Sequence, residues 1–111
     1  MRRLQAPSPV PEVCVIIAAR DAADTIATAI ASALRQPEVA EVIVVDDASA
    51  DRTGAAAAAA DDGSGRLKLI RLSVNVGPAA ARNRAIAAAT APLLCILDAD
   101  DHFIDGRLGR L

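Results

Sequence analysis

The chain has 111 residues, of which 53% are hydrophobic and 1% aromatic, and its formal net charge is -2. A chain of this length forms at most one domain, and its core is expected to consist of Val, Ile, Leu and Ala, as in sheets whose faces are covered by helices. The small negative charge excludes the basic surface that nucleic-acid-binding domains carry, so we expect no nucleic-acid partner.

Residues 1–12 are interrupted by Pro7, Pro9 and Pro11, a pattern that predicts an extended arm. The same prolines break up any apolar stretch behind the amino terminus, which therefore does not resemble a signal peptide. No apolar run reaches the roughly 18–20 residues that a membrane-spanning helix needs. We therefore expect a cytoplasmic protein with one domain over residues 13–111.

Two short apolar runs in the first half of the chain predict buried strands, at residues 13–18 and 42–45. A helix is expected after each strand. The first begins after Asp24, a residue type that caps helix N-termini, and continues to about residue 35. The second spans residues 51–60, where a run of alanines favours a helix.

The second half of the chain repeats this order. Residues 67–72 predict a strand near the edge of the sheet, and Gly77 followed by Pro78 is typical of a helix start. Residues 93–97 are five apolar positions in a row and predict a fully buried strand. Residues 104–111 predict the beginning of another helix.

The chain contains two cysteines, Cys14 and Cys95. Both fall inside predicted apolar strands, where a thiol behaves as a small hydrophobic side chain. A buried, reduced thiol is the expected state of each, and a disulfide between neighbouring strands is the alternative.

Strand and helix alternate about four times along the chain. This alternation predicts an α/β, Rossmann-like fold with a parallel sheet, helices on both faces and right-handed crossovers. Ligands bind to such sheets beyond the carboxyl ends of the strands, where the strand order reverses. Six aspartates lie at or just beyond predicted strand ends, and we expect a binding site among them: Asp21, Asp46, Asp47, Asp98, Asp100 and Asp101.

The densest of these carboxylates follow the last predicted strand. In an extended chain alternate side chains share a face, so Asp98 and Asp100 are expected to converge. Packed carboxylates repel one another unless a cation neutralises them, and their hard oxygen ligands suit Mg²⁺ or Mn²⁺. An acidic turn in which Asp101 caps the following helix remains the alternative.

Three motifs at successive strand ends carry a resemblance to a known family. They are Val45-Asp46-Asp47-Ala48-Ser49, Asn75-Val76-Gly77-Pro78-Ala79-Ala80-Ala81-Arg82-Asn83 and Leu97-Asp98-Ala99-Asp100-Asp101. In this order and spacing the chain resembles the nucleotide-sugar half of a family 2 glycosyltransferase with the GT-A fold, over roughly residues 12–111. The resemblance implies transfer of a sugar from a nucleoside-diphosphate sugar, a UDP-sugar foremost, to an acceptor hydroxyl, with Mn²⁺ or Mg²⁺ as cofactor.

The resemblance also implies roles for the matching residues. Asp46 and Asp47 lie at the nucleotide, with Asp47 as the partner of the nucleobase, and Arg82 faces the nucleotide. Asp98 lies near the ribose and shares the metal site with Asp100, the more direct metal ligand. The residues at the exit of the first strand help to enclose the base: Ala19, Arg20 and Asp21.

Members of this family carry, in a second half of comparable size, the acceptor site and a carboxylate that acts as general base. The sequence ends at Leu111, so we assign no catalytic residue and expect the base beyond this position. We expect the 111-residue chain by itself to be a truncated, donor-binding half without transfer activity. It then either self-associates or is completed by a partner that supplies the acceptor half.

Other functions fit parts of the pattern. A non-catalytic nucleotide-binding or pairing module of the same fold would keep the donor site without turnover. A phospho-receiver switch also has acidic pairs at strand ends, but it needs an aspartate after the third strand, where this chain has Leu72-Ser73-Val74. A dinucleotide oxidoreductase needs a glycine-rich loop after the first strand, where this chain has Ala18-Ala19-Arg20.

Overall fold

The computed structural model describes residues 11–105. The helix predicted at residues 104–111 and the arm predicted at residues 1–12 lie almost entirely outside the described residues. Strands and helices alternate in the described part: β1 Val13–Ala19, α1 Ile26–Leu34, β2 Val39–Asp47, α2 Thr53–Ala59, β3 Leu67–Leu72, α3 Pro78–Ala88 and β4 Leu93–Ile96. None of the helices in this range is long and apolar enough to cross a membrane.

The strands of the described part form one parallel sheet in the order β3-β2-β1-β4. The chain adds β2 and β3 on one side of β1 and then returns through α3 to place β4 on the other side. The strand order therefore reverses between β1 and β4, and β3 lies at an edge, as predicted. The predicted α/β fold with a parallel sheet is confirmed.

Helices cover both faces of the sheet because β1 and β2 are apolar on both faces. Val15 and Ile17 of β1 pack in one core with α1, whereas Ile16 packs in a second core with α3. The α3 residues buried against the sheet are Ala81 and Ala85. Such small side chains let the helix approach the sheet closely, and this fixes where the first turn of α3 lies.

Strand β4 differs from its prediction in burial and in length. Leu93 and Ile96 are each 53% exposed, so the predicted full burial of residues 93–97 is wrong. The reason is the place of β4 in the sheet, because it pairs with β1 and no strand in residues 11–105 pairs with its other edge. The strand ends at Ile96, and a turn follows in which the Asp101 N–H donates to the Asp98 carbonyl at 3.0 Å. The extended geometry expected to bring Asp98 and Asp100 onto one face is therefore wrong.

Helix α1 begins at Ile26, and the prediction that Asp24 caps it is wrong. The residue before the helix is Thr25, which makes no side-chain capping hydrogen bond. The Ala22 carbonyl accepts the N–H groups of both Thr25 and Ile26, at 3.1 and 2.9 Å. A backbone turn thus satisfies donors that a capping side chain would otherwise bind.

The two cysteines are free thiols; Cys14 is buried as predicted, whereas Cys95 is only half-buried, because it lies in β4. Cys14 lies in register with Leu94, and Cys95 lies in register with Val15. Their side chains therefore leave the sheet on opposite faces. Burial and the neighbouring Glu41 carboxylate raise the pKa of Cys14 to about 12, so this thiol stays protonated at neutral pH.

Candidate functional site

A cleft of about 200 Å³ opens beyond the carboxyl ends of β1 and β2. Three of the predicted site residues line it, namely Ala19, Arg20 and Asp47. The opposite wall comes from the loop after β3 and the start of α3, with Asn75 and Gly77. In parallel sheets, ligands bind beyond the carboxyl ends of the strands, next to the point where the strand order reverses. The cleft lies at this rim of the sheet.

Asp47 is the polar centre of this cleft and is 3% exposed. Its Oδ1 accepts the Val76 N–H at 2.8 Å, and its Oδ2 accepts the Gly77 N–H at 2.9 Å and Asn75 Nδ2 at 2.8 Å. A carboxylate offers about four acceptor positions, two on each oxygen. One position on Oδ1 therefore has no donor among the described residues.

The loop that supplies these donors depends on Gly77. Its φ is 89° and its ψ is 160°, a conformation that residues other than glycine rarely adopt. Pro78 then occupies the first turn of α3, and the predicted Gly77-Pro78 helix start is confirmed. Asn75 was not predicted as a site residue, because its partner Asp47 lies 28 positions earlier in the chain and no local pattern connects the two.

Asp46 and Asp47 face opposite sides of the sheet, because they are neighbours within a strand. Strand β2 continues through both of them, beyond the predicted residues 42–45. Asp46 Oδ1 accepts the Ser49 N–H at 3.1 Å and so closes the turn after β2. Asp46 also lines a separate depression together with Arg52 and Arg71. Of the two neighbouring aspartates, Asp47 is the one that lines the cleft with Ala19.

Asp21 joins the loop after β1 to the loop after β2. Its N–H donates to Ser49 Oγ at 2.9 Å, and its Oδ1 accepts the Ala50 N–H at 2.7 Å. Its φ is 51°, a left-handed conformation that is uncommon for a residue other than glycine. The two hydrogen bonds hold this strained backbone in place. Asp21 thereby fixes the position of Arg20, its neighbour in the cleft.

A second pair of hydrogen bonds joins the same two loops. Thr53 Oγ1 accepts the Ala22 N–H at 2.8 Å, and Asp51 Oδ2 accepts the Ala23 N–H at 3.2 Å. The Thr53 hydroxyl in turn donates to Asp51 Oδ1. This bond, together with the backbone N–H groups that face the carboxylate, lowers the pKa of Asp51. The two loops therefore form one connected wall of the site.

Asp98 and Asp100 lie in the turn after β4, at the same rim. Arg82 of α3 forms an ion pair with Asp98, with 3.7 Å between Nη2 and Oδ1. Asp100 lines a wider cleft of about 420 Å³ together with Arg20 and Asp21. We call residues 98–101 the acidic turn. Because Arg20 lines both clefts, it connects the Asp47 side of the rim with this turn.

The carboxylates of the acidic turn, residues 98–101, are of the chemical type that binds Mg²⁺ or Mn²⁺ together with phosphate oxygens. Within residues 11–105, no three His, Cys, Asp or Glu side chains are arranged to hold a metal ion by themselves. Mg²⁺ sites that serve phosphate substrates commonly use one or two carboxylates and complete the metal shell with water and substrate oxygens. Asp98 and Asp100 are both exposed at the rim and offer such a pair, and carboxylates suit Mn²⁺ as well.

Glu41, which the sequence analysis misses, lies at the opposite end of β2 and is 3% exposed. Its carboxylate accepts Lys68 Nζ at 2.7 Å and the N–H groups of Thr90 and Ala91 at 2.6 and 2.9 Å. Burial raises the pKa of Glu41, but the hydrogen bonds from Lys68, Ala91 and Thr90 outweigh burial and lower it to about 2. The available signal was an acid inside an apolar run, together with the single lysine of the chain.

Residues 14–111 match the family described as Glycosyl transferase family 2. The succinoglycan biosynthesis protein ExoU of Rhizobium meliloti (strain 1021) is 60% identical to this chain over 100 residues. The match covers 90% of this chain and 29% of that relative. The chain therefore spans about three-tenths of the length of the curated relative.

Two solved structures resemble the chain at the level of the fold. The S. aureus protein TarS in complex with UDP-GlcNAc is 27% identical, with a TM-score of 0.79 over 89% of this chain and 29% of that chain. The mannosyltransferase PcManGT from Pyrobaculum calidifontis, in complex with GDP-Man and Mn²⁺, is 28% identical. Its TM-score is 0.75, and the match covers 92% of this chain and 32% of that chain.

Proposed function

The chain belongs to glycosyl transferase family 2 and has the architecture of the nucleotide-sugar half of the GT-A fold, and we propose that residues 13–111 form the donor-binding half of a glycosyltransferase. The proposed reaction transfers a sugar from a nucleoside-diphosphate sugar, a UDP-sugar foremost, to an acceptor hydroxyl. The proposed cofactor is Mn²⁺ or Mg²⁺, since a mannosyltransferase of similar fold binds Mn²⁺ with its sugar nucleotide.

The proposal rests chiefly on the division of the rim into two parts. The buried Asp47 carboxylate lies in a small cleft, and the exposed Asp98 and Asp100 carboxylates lie in the acidic turn. Arg20 lines the clefts on both sides. A nucleotide has matching parts, because its base carries an N–H donor and its diphosphate needs a cation.

On the base side, the free acceptor position of Asp47 Oδ1 takes the imide N–H of a uracil ring. Ala19 offers a small side chain beside the ring, and Arg20 and Asp21 close the wall around it. Asp46 takes an indirect part in nucleotide binding, because it holds the turn that carries Ser49, a partner of Asp21.

On the phosphate side, the Arg82 guanidinium lies next to the acidic turn through its ion pair with Asp98. Its N–H groups are suited to phosphate oxygens. Asp100 and Asp98 would hold the metal, which when bound neutralises the charge that develops on the diphosphate leaving group. The Asp98 carboxylate also orients Arg82 before the ligand arrives.

The acceptor site and the general base belong, in this proposal, to the larger remainder of a protein of the relative's length. The name of that relative refers to succinoglycan biosynthesis, which supports a glycan acceptor. Leu93, Leu94 and Ile96 of β4 are exposed. We propose that the acceptor half, or a second copy of the chain, packs against this apolar strand. Sedimentation at micromolar concentration tests whether the chain self-associates. We further propose that this half is located in the cytoplasm.

Calorimetric titration with UDP tests the proposed donor site. The affinity for UDP is expected to rise when Mn²⁺ replaces an excess of chelator, and Asp100→Ala is expected to abolish this rise. Asp61→Asn changes an exposed aspartate of the loop between α2 and β3 and serves as the control. Equal affinity in Mn²⁺ and in chelator for the unsubstituted protein contradicts the proposal.

A non-catalytic nucleotide-binding or pairing module of the same fold is the second candidate, because the exposed side chains of β4 also fit a surface that pairs with another chain. Both candidates bind UDP, so binding does not separate them. Incubation of the full-length protein with labelled UDP-sugars and glycan acceptors does. Transfer of label supports the enzyme, whereas UDP binding without turnover supports the module.

A further inference from the structure

The segment that follows the acidic turn is held by the end of α1. Three successive residues of this segment each contact a different side chain of the helix end. The contacts are Phe103 N–H to Ser32 Oγ at 2.9 Å, Gln36 Nε2 to the Ile104 carbonyl at 3.4 Å, and Arg35 Nε to Asp105 Oδ1 at 3.2 Å.

Ser32 and Gln36 are fully buried, although both are polar. The Ser32 hydroxyl donates to the Ala29 carbonyl at 2.8 Å, which directs its lone pairs outward from the helix to Phe103. Gln36 Nε2 also donates to the Ser32 carbonyl at 3.2 Å. Polar groups at buried positions cost free energy unless hydrogen bonds compensate. The segment after the acidic turn supplies such partners to the Ser32 hydroxyl and to Gln36 Nε2, whereas Gln36 Oε1 has no partner among the described residues.

The acidic turn is thereby fixed on both sides. Before the turn, the Leu97 N–H donates to the Ile16 carbonyl at 3.0 Å, and the Leu97 side chain is buried in the core on the α1 face. After the turn, the Phe103 side chain packs against the same core. Asp98 and Asp100, between these two anchors, stay exposed. A turn ordered in advance loses less conformational freedom when a ligand binds.

The other end of α1 is attached to the opposite part of the rim. Two residues just before the helix donate across the rim, Ala22 to Thr53 at the start of α2 and Ala23 to Asp51 in the preceding loop. Helix α1 therefore connects the wall of the base side with the acidic turn. A displacement at either end of the helix changes the distance between the two parts of the site.

We infer that Ser32 and Gln36 are positioning residues that set the geometry of the acidic turn for the metal and diphosphate part of the donor. They act through the backbone of Phe103 and Ile104 and lie outside the clefts that line the rim. The inference rests on the proposed function, because it assigns these two residues to the metal-dependent part of nucleotide binding.

The test is the UDP affinity of variants at position 32, measured by calorimetry in Mn²⁺ and in excess chelator. Ser32→Ala is expected to reduce the gain from Mn²⁺ by about threefold to tenfold, the size expected for one lost hydrogen bond, and to leave the affinity in chelator unchanged. Ser32→Thr keeps the hydroxyl and is expected to restore the gain. Thr28→Ala removes a hydroxyl from the exposed side of the same helix and is the matched control.

Amide hydrogen exchange gives a second readout that needs neither UDP nor metal. Ser32→Ala is expected to speed exchange at the Phe103 N–H, and Thr28→Ala is not. If Ser32→Ala does not fold, Gln36→Met replaces it, with the same expected loss of the Mn²⁺ gain.

Three outcomes are decisive. A full Mn²⁺ gain in the folded variant overturns the inference. An equal loss of affinity with and without Mn²⁺ also overturns it, because that pattern indicates general destabilisation. Absence of any Mn²⁺ gain in the unsubstituted protein overturns the proposed function instead.

Discussion

Strand β2 carries a buried carboxylate near each end, and the two have different surroundings. Glu41 and Asp47 are both 3% exposed, and their even spacing places both on the α3 side of the sheet. Each accepts N–H groups from a loop at one end of α3. The donors are Val76 and Gly77 before the helix, to Asp47, and Thr90 and Ala91 after the helix, to Glu41.

The difference between the two carboxylates lies in charge and access. Lys68 neutralises Glu41 at 2.7 Å, whereas in the described range no Lys or Arg forms an ion pair with Asp47. Asp47 also borders an open cleft. Each carboxylate holds one end of α3. Glu41 has an ion-pair partner as well, whereas Asp47 has one acceptor position without a donor and no ion-pair partner in the described range. The Asp47 end therefore suits the proposed ligand site.

The largest expected effect is the loss of the saturated carboxylate. Glu41→Ala leaves the Thr90 and Ala91 N–H groups without their acceptor, and we expect the free energy of unfolding to fall by about 3 kcal/mol. Urea denaturation measures this change. Glu12→Ala, at an exposed glutamate just before β1, is the control with no expected change. A loss below about 1 kcal/mol would show that Glu41 does not hold the end of α3.

The second prediction concerns pH. Folding lowers the pKa of Glu41 from an ordinary value of 4.5 to about 2, so its contribution to stability is fully present above the unfolded pKa and is lost as the pH falls. We expect the free energy of unfolding to decline by about 2–3 kcal/mol from this group over the window between the two values. Glu41→Gln should remove this part of the decline. If the free energy of unfolding declines equally with falling pH in Glu41→Gln and in the unsubstituted protein, Glu41 is not the source of the decline.

The third prediction concerns Asp47, the carboxylate that borders the cleft. Asp47→Asn replaces an acceptor by an amide donor, and we expect UDP binding to weaken by about 2 kcal/mol. The factor by which Mn²⁺ raises the UDP affinity should stay largely intact, because the acidic turn is unchanged. Asp61→Asn, on the exposed loop before β3, is the control. Unchanged UDP affinity in Asp47→Asn would limit Asp47 to holding the loop before α3.

The smallest expected effect separates backbone strain from ligand binding. A Cβ at Gly77 or at Gly63 meets no atom within 4 Å, and both glycines have a positive φ, 89° and 81°. Alanine at either position should therefore destabilise the fold by about 1 kcal/mol through the backbone. We expect Gly77→Ala to weaken UDP binding as well, because its N–H contacts Asp47. Calorimetry should find UDP affinity unchanged in Gly63→Ala, and an equal loss in both variants would contradict this expectation.

The central part of the fold could be predicted because its signals are local. Strands β1 and β2 are buried on both faces, so their sequences are continuous apolar runs. Gly77 and Pro78 mark the start of α3 through their own backbone restrictions. Strand β4 has an equally apolar run, but its place at an edge follows from the order of the strands, which no local pattern specifies.

The sequence predicts that the candidate site residues lie at strand ends, but it does not predict their geometry. Whether Asp46 or Asp47 faces the cleft depends on where β2 ends, and the apolar run alone ends at residue 45. The partners of Glu41 are 27, 49 and 50 positions away in the chain. Ser32 meets Phe103 across 71 positions. Such contacts come from the tertiary fold, so a linear pattern does not reveal them.

The central position of β1 has a consequence for how the chain folds during its synthesis. Val13 pairs with Val39 on one side and with Leu93 on the other. Once β2 has emerged from the ribosome, it can pair with one edge of β1. The other edge of β1 stays unpaired until β4 has been synthesised. Loop closure over the longer separation costs more entropy, so the β1–β4 pairing forms more slowly. Among the described parts of the rim, the acidic turn, which follows β4 directly, is therefore expected to assemble last.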